Sequence, residues 1–110
     1  MTKRIFFLLS GLVAAALFAP APSWAQGSLC TAMPGVWLWF DNSYVSFYPN
    51  GFARGGDTAH WSCSGRQVVI YWSRGWTDRL VLSSNGDYLS GFNQAGSRIW
   101  GQRKAGPGAL

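Results

Sequence analysis

The sequence contains no glutamate and a single histidine, His60, and charged side chains of both signs make up only 12% of its 110 residues. Acid–base catalysis needs a positioned proton carrier with a suitable pKa, and glycoside hydrolysis needs two facing carboxylates. His60 follows Asp57 in the glycine-rich segment GGDTAH, where we expect both side chains to be solvated. The sequence offers no Ser-His-Asp spacing. It therefore indicates a protein that is not an enzyme.

Helical periodicity is also missing, because no stretch of ten residues sustains an apolar spacing of 3.6. Gly, Asn, Ser and Asp instead recur about every 8–12 residues, which is typical of all-β domains. The predicted strands are Val36–Phe40, Tyr44–Tyr48, Gly51–Arg54, Ala59–Cys63, Gln67–Ser73, Trp76–Ser83, Tyr88–Asn93 and Arg98–Arg103. We predict one all-β domain over residues 26–104, followed by a flexible tail at 105–110. Its fold is an antiparallel meander of about eight short strands, closed as a small barrel or a sandwich-like sheet.

Two segments, VSFYPNG at residues 45–51 and LVLSSNG at 80–86, alternate apolar and other residues and then end at Asn-Gly. Asn-Gly accepts the positive φ angles of a tight hairpin turn. Alternation along the strands assigns one face of each to the core. The predicted core residues are Trp37, Trp39, Val45, Phe47, Val68, Ile70, Trp72, Leu80 and Leu82. We expect them to fill an eight-stranded interior and to leave no enclosed apolar cavity above about 300 Å³.

The N-terminus has the pattern of a secretory signal peptide. Two basic residues precede an apolar run, Ile5–Ala19, and the small residues Ser23 and Ala25 follow it. We predict a signal peptide at residues 1–25, cleaved after Ala25. The run of 15 residues is shorter than the roughly 20 that span a bilayer, and Cys30 lacks the preceding motif of a lipid anchor. The mature chain, with seven basic and four acidic residues, then has a net charge of +3 and no membrane span.

The chain has two cysteines, Cys30 and Cys63, and in an oxidising compartment this even number predicts a disulfide. Neither cysteine lies in a C-x-x-C motif, and one histidine cannot complete a zinc site with them. The sequence thus predicts a structural disulfide and gives no indication of a metal or a cofactor. Together with the signal peptide, it favours a periplasmic or secreted protein.

The strongest candidate for binding is the segment Tyr71–Arg79, which interleaves aromatic and basic side chains across a predicted hairpin tip. The candidate ligand-binding residues are Tyr71, Arg74, Trp76, Asp78 and Arg79. Aromatic rings could stack on a sugar or an anionic glycan while arginines supply planar donors. The alternative is a hairpin held by cross-strand aromatic pairs. Nucleic acid, which uses similar groups, is not expected for a secreted chain of this charge.

Two residues of this segment, Asp78 and Trp72, are expected to face inward. Asp78 shares a strand face with Leu80 and Leu82, so it is either a buried binding acid or the partner of a nearby arginine. Trp72 shares a face with core residues, and we expect it to support the hairpin from inside without touching a ligand.

Two short motifs and the position of an arginine resemble features of lipocalins, and the first motif also resembles that of avidins. The sequence GVW at residues 35–37 resembles the G-x-W that opens the first strand of these families, and TDR at 77–79 is similar to the lipocalin T-D-Y. Arg98 or Arg103 lies on the last strand, where lipocalins place an arginine over the first tryptophan. The resemblance implies an up-and-down barrel in which one of these arginines packs on Trp37 at the closed end.

Two classes of function are compatible with these features. The first is a non-enzymatic extracytoplasmic β module that binds a small ligand, an envelope glycan or a protein partner, or that has a structural role. The second is an enzyme or an enzyme inhibitor of the cell-envelope type. A glycan-binding module that uses the hairpin at residues 71–79 is a further alternative. The scarcity of catalytic side chains favours the first class.

Overall fold

A computed structural model describes residues 28–110, and the predicted signal peptide at residues 1–25 lies outside this described part. Eight antiparallel strands follow each other in chain order around a closed barrel. The strands are β1 Gly35–Trp39, β2 Tyr44–Phe47, β3 Phe52–Arg54, β4 Thr58–Ser64, β5 Gln67–Trp72, β6 Thr77–Leu82, β7 Tyr88–Asn93 and β8 Arg98–Ala105. Each strand pairs with the next, and β8 pairs with β1. The all-β meander is confirmed, and its closed form is a barrel.

The tight turns that the sequence predicted lie at both Asn-Gly positions. Gly51 and Gly86 have φ angles of 90° and 79°, in a region that residues with a Cβ atom avoid. The last strand continues to Ala105, beyond the predicted end at Arg103, because its final residues pair with β1. Short 3₁₀ helices flank the barrel at Ser28–Ala32 and Pro107–Ala109. No helix in residues 28–110 is long and apolar enough to cross a membrane.

The core lies inside the barrel and consists mainly of the residues that alternation predicted. Of the predicted set, all but Trp72 are buried, and Trp72 packs against the others while half-buried. The rings of Trp37 and Phe47 meet edge to face, with centroids 6.3 Å apart. Trp39 lies across Gly101 of β8, where a Cβ atom would come within 2.5 Å of its ring. A glycine on β8 therefore makes room for a large ring on β1.

One end of the barrel is closed by the N-terminal segment. Met33 is completely buried, and the indole Nε1 of Trp37 donates a 2.9 Å hydrogen bond to its carbonyl oxygen. The disulfide between Cys30 and Cys63 has a sulfur–sulfur distance of 2.04 Å and attaches the helix Ser28–Ala32 to β4. The predicted disulfide is confirmed, and this segment caps the core at the start of β1.

An arginine completes the closed end. The guanidinium of Arg103 lies 4.6 Å from the ring centroid of Trp37, a cation–π contact. Its nitrogens also donate hydrogen bonds to the carbonyl oxygens of Pro34 and Gly86, at 3.3 and 3.0 Å. Arg98, the other arginine considered for this position, is exposed. The packing of Arg103 on Trp37 therefore joins the last strand to the first.

Candidate functional site

At the opposite end, the connections β1–β2, β3–β4, β5–β6 and β7–β8 surround a recess of about 430 Å³, which we call the open-end recess. Its lining residues are Trp39, Phe40, Asp41, Ser43, Val45, Gly56, Asp57, Trp72, Arg74, Trp76, Asp78, Asn93 and Ile99. Side chains therefore do not fill the interior at this end, but the recess is open and lined by polar as well as apolar residues, so it is not an enclosed apolar cavity. The inward positions of β6 and β7 carry Asp78 and Asn93 there, and these side chains are smaller than the rings that fill the closed end.

Asp78 is the buried polar residue of the barrel interior, with only 3% of its surface exposed. The indole Nε1 of Trp72 donates a 2.8 Å hydrogen bond to its Oδ2. Within residues 28–110, no lysine or arginine forms an ion pair with it, since the ion pair there joins Arg103 and Asp87. The alternative of an arginine partner is therefore wrong. Burial raises the pKa of Asp78 above its ordinary value, and the hydrogen bond from Trp72 opposes this in part.

Aromatic rings form much of the wall of the open-end recess. Trp39 and Trp72 meet edge to face, with centroids 6.5 Å apart, and Trp76 stands at the rim with 49% of its surface exposed. We expected Trp72 to lie inside and out of reach of a ligand. It does point inward, but it lies at the end of β5, where the interior opens, and so it lines the open-end recess.

The β5–β6 turn, residues 73–76, is fixed on one side by Asp57. This carboxylate accepts hydrogen bonds from the Ser73 hydroxyl at 2.6 Å and from the backbone N–H of Arg74 at 3.1 Å. The Ser73 hydroxyl and the backbone N–H groups of Thr58 and Arg74 lower the pKa of Asp57. Asp57 is thus engaged by these donors, whereas we expected it to be solvated. His60, expected to be solvated as well, is exposed on the outer wall.

The same turn is held on its other side by Gln94 of the β7–β8 connection. The Gln94 Oε1 accepts a 2.7 Å hydrogen bond from the backbone N–H of Thr77, and its Nε2 donates a 2.8 Å hydrogen bond to the Gly75 carbonyl. Gly75 itself has a φ of 101°, which favours glycine. The turn that carries Arg74 and Trp76 is therefore anchored to both neighbouring loops. The sequence gives no indication of the Gln94 contact, because its partners lie 17 and 19 residues away.

The structure divides the five predicted binding residues between two surfaces. Arg74, Trp76 and Asp78 line the open-end recess, whereas Tyr71 and Arg79 are exposed and do not. Successive residues of a strand face opposite sides of a sheet, and Tyr71 and Arg79 lie on the outward side of β5 and β6. The hypothesis of one stacking platform formed by Tyr71 and Trp76 is therefore not supported by this geometry.

Acidic residues concentrate around the open-end recess. Of the four aspartates in the chain, Asp41, Asp57 and Asp78 line it, while Arg74 is the basic residue that does so. Asp41 was not among the predicted site residues. Its Oδ1 accepts a 3.1 Å hydrogen bond from the backbone N–H of Ser43 and one from the Ser43 hydroxyl, which holds the β1–β2 turn. The recess is thus acidic in a chain that is basic as a whole.

Metal ligands do not cluster in the described part of the chain, where no three His, Cys, Asp or Glu side chains come together. Comparisons with models of protein families, with curated proteins and with solved structures gave no match to this chain. The geometry of the open-end recess is therefore the basis for a functional proposal.

Proposed function

We propose that this protein is a non-enzymatic binding module of an extracytoplasmic compartment, and that it takes a small ligand into the open-end recess. The observation that carries this proposal is the position of Asp78. A carboxylate that is 3% exposed and hydrogen-bonded by one indole faces a recess walled by tryptophans. Buried polar groups are costly unless they are paired, so their retention beside a cavity favours a binding role. The volume of about 430 Å³ falls within the range of roughly 300–1,000 Å³ of small-molecule sites.

The proposed location rests on two observations. The disulfide between Cys30 and Cys63 is compatible with an oxidising compartment, and the pattern of residues 1–25 predicts a signal peptide. A periplasmic and a secreted protein fit both observations equally well.

The placement of the titratable groups supports a role without catalysis. His60, the single histidine, lies on the outer wall and does not line the open-end recess. Both oxygens of Asp57 accept hydrogen bonds from main-chain and hydroxyl donors, which suits a structural carboxylate. Asp78 has no histidine, lysine or hydroxyl group within hydrogen-bonding distance among residues 28–110. A general acid or base would need such geometry toward a substrate.

Intrinsic tryptophan fluorescence tests the proposal, because Trp39, Trp72 and Trp76 line the open-end recess. The mature protein would be titrated with panels of neutral envelope oligosaccharides, organic amines and organic acids. A saturable change in emission with at least one panel is expected, and Trp76→Ala should abolish it while leaving the melting temperature nearly unchanged.

Tyr71→Ala is the matched control, because Tyr71 belongs to the same hairpin and is as exposed as Trp76, at 50% against 49%, but does not line the open-end recess. It should bind like the wild type. Loss of glycan binding in Tyr71→Ala would instead locate the site on the outer surface of the hairpin. Absence of a saturable response to every panel would refute the binding proposal.

A further inference from the structure

The three carboxylates of the open-end recess differ in the hydrogen-bond donors and positive charges that surround them. The Asp57 carboxylate accepts three hydrogen bonds and has Arg74 beside it, which contributes to lowering its pKa. Asp41 is exposed and accepts hydrogen bonds from Ser43. Asp78 is the most buried of the three, and in the described residues its carboxylate receives one side-chain donor, the neutral indole of Trp72. Among residues 28–110, no basic side chain therefore forms an ion pair with the Asp78 carboxylate.

The aromatic rings of the open-end recess also make no cation–π contact with a basic side chain of residues 28–110. Among residues 28–110, the cation–π contact lies at the closed end, between Arg103 and Trp37. The rings of Trp39, Trp72 and Trp76 border the recess instead. The face of a tryptophan ring attracts a cation, and the attraction strengthens when the cation is removed from water. A buried carboxylate and several tryptophan rings around one cavity thus both favour a positively charged ligand group.

We propose that the ligand of the open-end recess is a small organic amine, whose protonated nitrogen donates a hydrogen bond to the carboxylate of Asp78 while its hydrocarbon part packs against the tryptophans. This inference rests on the proposed binding function and names the ligand class. An ammonium group supplies the positive charge that Asp78 lacks among residues 28–110, and it adds N–H donors to the one from Trp72. Arg74, also at the recess, is adjacent to Asp57 and does not ion-pair with Asp78. A neutral sugar would leave the charge of Asp78 uncompensated, which is unfavourable in a buried site.

The charge of the ligand can be tested with a pair of probes of similar shape. Isothermal titration calorimetry of the mature protein at neutral pH would compare hexylamine, which is protonated under these conditions, with 1-hexanol, which is neutral. Hexylamine should bind saturably, and 1-hexanol should bind at least about 10-fold more weakly, as expected for the loss of a charged hydrogen bond. Equal affinity for the two probes would overturn the inference.

The role of Asp78 can be tested with Asp78→Asn, which removes the charge but keeps an oxygen to accept the hydrogen bond from Trp72. This variant should bind hexylamine at least about 10-fold more weakly than the wild type. Asp87→Asn is the matched control, because it changes the net charge equally but lies at the closed end, beside Arg103. It should retain wild-type affinity. Unchanged hexylamine affinity in Asp78→Asn would refute the assignment.

The outcomes separate this inference from the function on which it rests. If neutral oligosaccharides bind and Trp76→Ala abolishes that binding, while hexylamine does not bind, the module is a binding protein and the amine inference fails. If no ligand class gives a saturable response, both fail. Circular dichroism of Asp78→Asn verifies folding, and should that variant not fold, the comparison of hexylamine with 1-hexanol on the wild type still decides the question.

Discussion

The disulfide at the closed end should account for a large part of the stability of this small domain. Cys30 and Cys63 are separated by 33 residues. In the chain-entropy model, a cross-link that closes a loop of this length lowers the entropy of the unfolded chain by about 12.5 cal/mol/K. This raises the free energy of unfolding by about 3.7 kcal/mol at 25 °C. A Cys30→Ala, Cys63→Ala double variant should therefore lose about 3.7 kcal/mol in the free energy of unfolding. For a domain of this size, that corresponds to a melting temperature lower by about 15–30 °C.

The native structure of this double variant should nevertheless be retained. Met33 is completely buried, and Trp37 donates its indole hydrogen bond to the Met33 carbonyl, so the N-terminal segment has contacts of its own with the core. The tryptophan emission spectrum of the folded variant should therefore match that of the wild type. A red-shifted spectrum would mean that the cap had detached and that Trp37 had become hydrated.

Urea unfolding followed by tryptophan fluorescence measures the loss, with the reduced wild type as a second sample. Reductant should bring the wild type to the midpoint of the double variant and leave the variant unchanged. A difference in unfolding free energy below about 1 kcal/mol would refute the reasoning, because the entropy of a loop of this length should exceed it several-fold.

Four further variants test the interior of the barrel and its open end. Gly101→Ala should cost about 1–3 kcal/mol in urea unfolding, because its Cβ would collide with the ring of Trp39; an unchanged midpoint would show that this ring moves aside freely. Trp72→Ala should lose about 3 kcal/mol, because it removes a large ring packed on the core and the one side-chain donor to Asp78, and a melting curve like that of the wild type would contradict this. The raised pKa of Asp78 in the folded state means that rising pH destabilises the native protein once the unfolded carboxyl ionises. Asp78→Asn should thus have a higher melting temperature than the wild type at neutral pH and the same melting temperature in acid. The pKa of Asp57 is lowered, so Asp57→Asn should have a lower melting temperature than the wild type at neutral pH, and this difference should also disappear in acid. A constant offset across the pH range in either variant would disagree with these pKa directions.

Local sequence patterns were sufficient to predict the strands and most of the core. Alternation in segments such as 45–47 and 80–82 placed the buried residues correctly, since the period of two is a local property of a strand. The Asn-Gly turns marked where two hairpins reverse, and the even number of cysteines was enough for the disulfide.

The open-end recess could not be predicted in the same way, because it depends on closure of the barrel. Asp57 reaches across to the β5–β6 turn, and Gln94 reaches the same turn from the other side, so neither contact has a local sequence pattern. The positions of Tyr71 and Trp76 follow from the geometry of the turn between them, with Gly75 at a positive φ. Sequence alone identified the hairpin as notable but did not show that its two exposed rings belong to different surfaces.

Closure of the barrel has a consequence for how the chain reaches its native state. Seven of the eight strand pairings join neighbours in the chain, and the eighth joins β1 to β8, with Trp37 opposite Arg103. Until that last pairing forms, both strands present unpaired N–H and C=O groups, which can recruit strands of other molecules. The pairing also carries the largest loop-closure entropy of the set. A chain that lacks β8 would therefore keep two unpaired strand edges. We expect such a chain to self-associate more readily than the complete protein.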